Sequence, residues 1–269
     1  MNKVSHTTTH TTLSIRIDTN GFCFCSYTAG NPETLRYHYH EAESSLPIAT
    51  NFDTAWNSCP FAAEKKYSEV KVIIATENFT TLPTEYDSNE QHNIFYRSCF
   101  PHTPAESHII ANRLTAQGAT ILFSVEDALY NRLRKIGEVT IYTPASIILG
   151  FLTKYNIDDN SYILAYYNKG KSLILSMRGN TLQLSNSFSS RETHDQVFYL
   201  LSIWKEQQLS QQDDTLYLCG DKSVEEVTPL LKQFIRNTKR LNPNELFRPN
   251  LLNRVNEIPF DLQALLLCE

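Results

Sequence analysis

Residues 162–188 read YILAYYNKGKSLILSMRGNTLQLSNSF. Three β-prone runs, Tyr162 to Tyr167, Lys171 to Met177 and Thr181 to Phe188, are separated by Asn168-Lys169-Gly170 and by Gly179-Asn180. Gly and Asn tolerate the left-handed backbone that tight hairpins require, so the stretch reads as a three-strand meander. Downstream, Ser189-x-x-Glu192 is a capping signal for a helix bearing Val197, Leu200, Leu201 and Trp204. Thr215 to Cys219 is then a strand ending at Gly220, and a helix starts at Ser223-x-x-Glu226 or at Thr228-Pro229. Phe260 to Cys268 reads as a short terminal helix or strand.

Upstream, the chain opens with the same order. Leu13, Ile15 and Ile17 alternate with Ser14, Arg16 and Asp18; after Asn20-Gly21 come Phe22 to Tyr27, then Leu35, Tyr37 and Tyr39 against Arg36, His38 and His40. A helix from about Pro47 to Ala63 and a strand Val70 to Ala75 follow, so βββαβ occurs twice. Between the copies, residues 77–118 lack a clean period and are expected to be an insertion containing an extended Phe79 to Pro83, a helix within Asn89 to Phe100 and a strand His108 to Leu114. Ala119 to Phe123 reads as a strand, Ser124-x-x-Asp127 as the cap of a helix, Val139 to Tyr142 as a strand, and Thr143-Pro144 as the start of another helix. The expected organisation is a flexible tail 1–12, a first domain 13–157 with the insertion at about 77–118, and a second domain 158–269. The class is α/β, with mixed sheets and helices on both faces.

A chain of 269 residues with 41% apolar and 20% charged residues can bury a full core without staples. The net charge of −5 lacks the basic footprint of general nucleic-acid binding, although Arg132, Arg134 and Lys135 form a local basic run. No stretch reaches the roughly 18 apolar residues of a membrane span, and the Thr- and His-rich opening has no apolar signal-peptide core, so a cytoplasmic protein is expected. Six cysteines without a C-x-x-C pair read as reduced core residues.

A duplicated βββαβα(β) order resembles the ribonuclease-H-like unit, and two in tandem resemble the actin and sugar-kinase superfamily. Arg240-Leu241-Asn242-Pro243-Asn244-Glu245-Leu246-Phe247, then Ile258-Pro259-Phe260-Asp261-Leu262-Gln263-Ala264-Leu265-Leu266, together with Phe79-Thr80-Thr81-Leu82-Pro83, resemble a bacterial family catalogued as a domain of unknown function. The resemblance spans nearly the whole chain. It implies an actin-like ATPase fold, similar to cytoplasmic actin-like components of type IV pilus and type II secretion machines, and leaves function open.

That resemblance defines what a nucleotide site would need. Asp18-Thr19-Asn20-Gly21 departs by one residue from the Asp-x-Gly of the first phosphate hairpin, with Asp18 the candidate Mg²⁺-side carboxylate and Gly21 the phosphate contact. The second hairpin, Tyr166-Tyr167-Asn168-Lys169-Gly170-Lys171, carries no carboxylate, leaving Lys169, Gly170 and Lys171 as phosphate contacts. Gly220 and Ser223 mark the adenosine-side turn. An ordinary Asn-Gly hairpin, solvated hairpin lysines and an ordinary capped helix start explain the same residues. One partial match in three points to a degenerate cleft, with no catalytic residue, no metal and no cofactor expected. Mg-ATP binding or slow hydrolysis is the alternative.

A nuclease reading would start from Asp18 and Glu77, two carboxylates where a two-metal centre needs more. His38 and His40 could share a metal only if a further ligand joined them, while His92, His102, His108 and His194 suggest no partner. The leading expectation is a non-catalytic interaction protein whose partner is another protein or itself, with Phe95, Tyr96 and Phe100 of the insertion as the contact.

Overall fold

Leu13, Ile15 and Ile17 are buried, and so are Ser14, Arg16 and Asp18 between them. Alternation of apolar and polar residues predicts a strand with one wet face; this strand is buried on both. In the computed structural model, which describes residues 10–64, 67–155, 157, 160–190, 192–242 and 257–267, it is β1 (Thr11–Asp18), the middle of a five-stranded sheet. Central strands are covered on both sides, so the charged residues they carry must find partners inside the protein.

The chain divides into two units. The first holds residues 1–75 and 127–142, the second residues 76–126 and 143–268. In the first, β1, β2 (Gly21–Thr28) and β3 (Asn31–Glu41) form the meander. Helix α1 (Ile48–Ser58) returns the chain to β4 (Glu69–Ile74), parallel to β1. Helix α3 (Asp127–Ile136) precedes β8 (Val139–Tyr142), parallel to β4. The sheet order is β3-β2-β1-β4-β8.

The second unit repeats this plan with β9 (Ser161–Asn168), β10 (Lys171–Arg178), β11 (Thr181–Ser189), β12 (Thr215–Gly220) and β13 (Asn237–Arg240), in the order β11-β10-β9-β12-β13. Helices α5 (Thr193–Glu206) and α6 (Ser223–Leu231) are the crossovers. Ile163, Ala165, Tyr167, Leu216 and Leu218 pack on Val197, Leu200, Trp204, Val224 and Val227 of these helices. On the opposite face, reached by the two-residue period of a strand, Tyr166 meets Phe260 of the last helix, α7 (Phe260–Leu267), which also packs edge-on to Phe151 of α4 (Pro144–Tyr155).

The inserted segment forms a sheet of its own, β5 (Phe79–Pro83), β7 (Ala119–Glu126) and β6 (Ser107–Leu114) in that order, with helix α2 (His92–Cys99) against it. The expected insertion stopped at residue 118 and assigned the strand after it to the first domain; β7 is instead the centre of the inserted sheet. Ser124 lies in that strand, so it does not cap α3. Contacts also group α4 with the second unit, whereas the sequence reading ended the first domain at residue 157. Besides the packing of Phe151 on Phe260, Ser146 Oγ on α4 donates to Asn112 Oδ1 (2.7 Å), and Gln117 Nε2 donates to Leu149 O (3.2 Å). The expected tail of residues 1–12 lies outside the described residues up to residue 9, and β1 already begins at Thr11. Residues 243–247 of the family signature also lie outside them.

Candidate functional site

The first hairpin closes with Asp18 paired to Gly21 around Thr19-Asn20. Asp18 is committed on both oxygens: Oδ2 accepts from Arg16 Nη1 (2.9 Å), and Oδ1 accepts from Thr19 N (2.7 Å) and Thr19 Oγ1 (3.1 Å). The ion pair is buried, with side chains 5% and 4% exposed. A guanidinium already neutralises the carboxylate that Mg²⁺ would need. Gly21 has a packing reason of its own, since a Cβ there would lie 2.6 Å from His40 O and from the Tyr39 hydroxyl. The same Tyr39 hydroxyl donates to Asn20 O (3.0 Å), fixing its ring at the hairpin.

In the second unit, Lys169 (φ 50°) and Gly170 (φ 78°) supply the two positive φ values of a type I′ turn. A lysine in that conformation is costly relative to glycine and needs holding. Asp221 supplies the hold: its Oδ2 accepts from Lys169 N (2.6 Å) while Oδ1 accepts from Ser223 N (2.9 Å). Sequence reasoning left this hairpin without a carboxylate; the fold delivers one from 52 residues away. The visible signal was Gly220-Asp221-Lys222-Ser223, in which an Asp two residues before Ser is an Asx-type cap for a helix start.

Gly220 is equally bound to this geometry. At φ 125°, a Cβ would stand 1.9 Å from Tyr167 O, and the next amide, Asp221 N, donates to that same oxygen (3.0 Å). Lys171 Nζ lies 3.3 Å from Glu77 Oε1, whose other oxygen accepts from Ser189 Oγ (2.8 Å). Glu225 and Glu226 occupy the first turn of α6, where the helix dipole would otherwise favour an anion. So the second hairpin and the adenosine-side turn are brought together, held by Asp221, and surrounded by carboxylates. A phosphate would have to displace Asp221 to reach the Lys169 amide.

The other sequence candidates also acquire partners. His92 pairs with Asp87, whose carboxyl also accepts from Arg113 Nε (2.5 Å) and Thr120 Oγ1 (3.0 Å). Burial pushes the Asp87 carboxyl up, but those three hydrogen bonds outweigh it and hold it below the usual carboxylate range. His38 Nε2 and His40 Nδ1 converge on Ser58 Oγ, at 3.3 and 3.0 Å. Burial, and then the neighbouring His40, lowers the His38 pKa. No group of three or more metal-ligating side chains occurs among the described residues. Four described cysteines, Cys23, Cys25, Cys59 and Cys219, are buried thiols outside any disulfide, while Cys99 is an exposed thiol, also outside any disulfide. Tyr96, expected at a contact surface, is fully buried, its hydroxyl donating to Asn78 O (3.0 Å); the exposed apolar side chains nearby are Tyr86 and Ile94.

Over residues 2–238 the sequence matches the family described as Protein of unknown function (DUF3822). The chain belongs to this family. Comparison with curated proteins finds no match. Among solved structures, the DUF3822 chain is similar to a Bacteroides thetaiotaomicron VPI-5482 protein with actin-like ATPase fold and unknown function, at 27% identity and TM-score 0.79 over 97% of each chain. It is also similar in fold to the PilM-PilN type IV pilus biogenesis complex, at 14% identity and TM-score 0.57 over 96% of this chain and 97% of that one. The DUF3822 chain thus has the actin-like ATPase fold that its duplicated βββαβ order implied. No described helix is long and apolar enough to cross a membrane.

Proposed function

We propose that this DUF3822 protein is a non-catalytic scaffold of actin-like fold that works by binding another protein, its phosphate hairpins held by its own side chains. The observation that carries the reading is the occupation of both hairpins: Arg16 neutralises Asp18, and Asp221 takes the Lys169 amide. Two of the three glycines that a nucleotide would use, Gly21 and Gly220, are accounted for by contacts with Tyr39, His40 and Tyr167. PilM, of the same fold, occurs in a complex with PilN, and a scaffold role accords with such company.

The test is thermal unfolding with and without millimolar Mg-ATP, Mg-ADP and Mg-GTP. A ligand that binds only the native state stabilises it by about 2.7 kcal/mol at a hundredfold excess over Kd. Unchanged melting is the expected result. A saturable rise would establish a working nucleotide site, with Asp18, Gly21, Lys169, Gly170, Gly220 and Ser223 as its first residues to mutate and hydrolysis as the next assay.

A further inference from the structure

On the first unit, α1 and α3 border a groove of about 320 Å³ lined by Phe52, Asp53, Trp56, Arg132, Lys135 and Ile136. Its floor is built into the core. Phe52 is buried against Phe22 and Phe24, and half-buried Trp56 packs edge-on to Phe24, with ring centroids 6.2 Å apart and planes at 68°. Such a floor is aromatic, held in place and partly open to solvent, the character of an anchor pocket for a partner's side chain.

The rim is cationic. Asp53, its one carboxylate, already accepts from Arg132 Nε (2.7 Å), and Arg132 is steadied by a second bond to Ala128 O (2.9 Å). Lys135 has no ion pair among the described residues, and neither has Arg134 beside it in the last turn of α3. The indole N–H of Trp56 likewise has no acceptor among them. What the groove leaves unanswered is therefore one lining cation, Lys135, and a neutral donor beside an apolar floor, with Arg134 next to Lys135 on α3 but outside the lining. This local positive field sits on a chain whose net charge is −5.

We infer that this groove docks an acidic segment of a partner protein, seating an aromatic or leucine side chain on Phe52, Trp56 and Ile136 with an adjacent Asp or Glu on Lys135. The inference rests on the scaffold reading and names the chemistry of its partner. A nucleic acid is the poorer occupant. Lys135, even with Arg134 beside it on α3, neutralises at most about two phosphates, where tight sequence-independent binding uses roughly six to ten, and the apolar floor adds nothing to a phosphate backbone. A short amphipathic segment uses floor and rim together.

The experiment pans a random 12-residue phage-displayed library on the full chain, counter-selects on Lys135→Glu, and titrates the enriched peptides by tryptophan fluorescence. Trp56 reports the groove; the second tryptophan, Trp204, is 3% exposed in the other unit's core and is measured alone in Trp56→Phe. The expected peptides place a carboxylate beside an aromatic or leucine, bind roughly tenfold more weakly to Lys135→Glu, and recover on that variant when their acidic residue becomes lysine. Lys135 is exposed, so its replacement leaves the fold intact, which an unchanged melting curve verifies. Peptides without carboxylates, equal affinity for Lys135→Glu, or a 20-base-pair DNA duplex bound more tightly than any peptide and lost in that variant would overturn the inference. The two failures separate: an inert Lys135→Glu beside an unchanged Mg-ATP melt sinks the groove alone, whereas stabilisation by Mg-ATP sinks the non-catalytic reading.

Discussion

Arg16→Met removes the guanidinium from a carboxylate that is 4% exposed at the middle of a five-stranded sheet. Breaking a buried pair from one side costs about 3–5 kcal/mol, because the remaining charge stays desolvated. At roughly 2–4 °C per kcal/mol for a chain of this size, the melting temperature falls by about 6–20 °C. Asp18→Asn strands the opposite charge and carries a similar cost. The double variant Arg16→Met/Asp18→Asn leaves no charge behind and keeps a side-chain oxygen for the Thr19 amide, which now donates to Asp18 Oδ1 at 2.7 Å. It is therefore expected within about 1.5 kcal/mol of the wild type, an interaction energy of several kcal/mol that only directly coupled groups give. The assay is urea unfolding of all four proteins at neutral pH, each with and without millimolar Mg-ATP. Additive costs in the double variant would refute the argument that Arg16 is what neutralises Asp18. So would an Asp18→Asn protein that matches the wild type in stability while losing an Mg-ATP-dependent stabilisation, since that pattern belongs to a metal-side carboxylate.

Two further predictions concern the second unit. Gly220→Ala forces a Cβ to within 1.9 Å of Tyr167 O at a backbone φ of 125°, so it should destabilise the chain by about 2–4 kcal/mol whether or not nucleotide is present; a neutral substitution in a urea titration would show that the approach of β12 to β9 is not constraining. Asp87 has its carboxyl held below the usual value, so its contribution is present above about pH 4 and is lost as the pH falls through the depressed folded pKa; Asp87→Asn should lower the melting temperature at pH 7 and flatten its acid decline, and parallel pH profiles for the two proteins would contradict that assignment.

How much of this was legible beforehand differs between strands and sites. Both meanders, the crossover helices and the duplication followed from two-residue and helical periodicities punctuated by Gly and Asn, because local sterics and one-sided burial act over a few residues. Those signals also placed every candidate hairpin residue at a turn or strand end. They said nothing of whom each residue would meet. Ser14, Arg16 and Asp18 read as the wet face of an alternating strand, and only the central position of β1 turns them inward and makes Arg16 and Asp18 each other's counter-ion.

The same limit applies to Asp221, which the sequence by itself identified as part of a turn before a helix. Its second role, holding the Lys169 amide, depends on β12 pairing in parallel with β9 so closely that Gly220 abuts Tyr167. Likewise, nothing local distinguishes β7 from a strand of the first sheet; hydrogen bonds to β5 and β6 decide it. Secondary structure and the repeated order were thus determined by the sequence, through forces of short range. Which carboxylate answers which donor was decided by tertiary pairing, because a charge buried by the fold takes its partner from whatever the topology brings within about 3 Å.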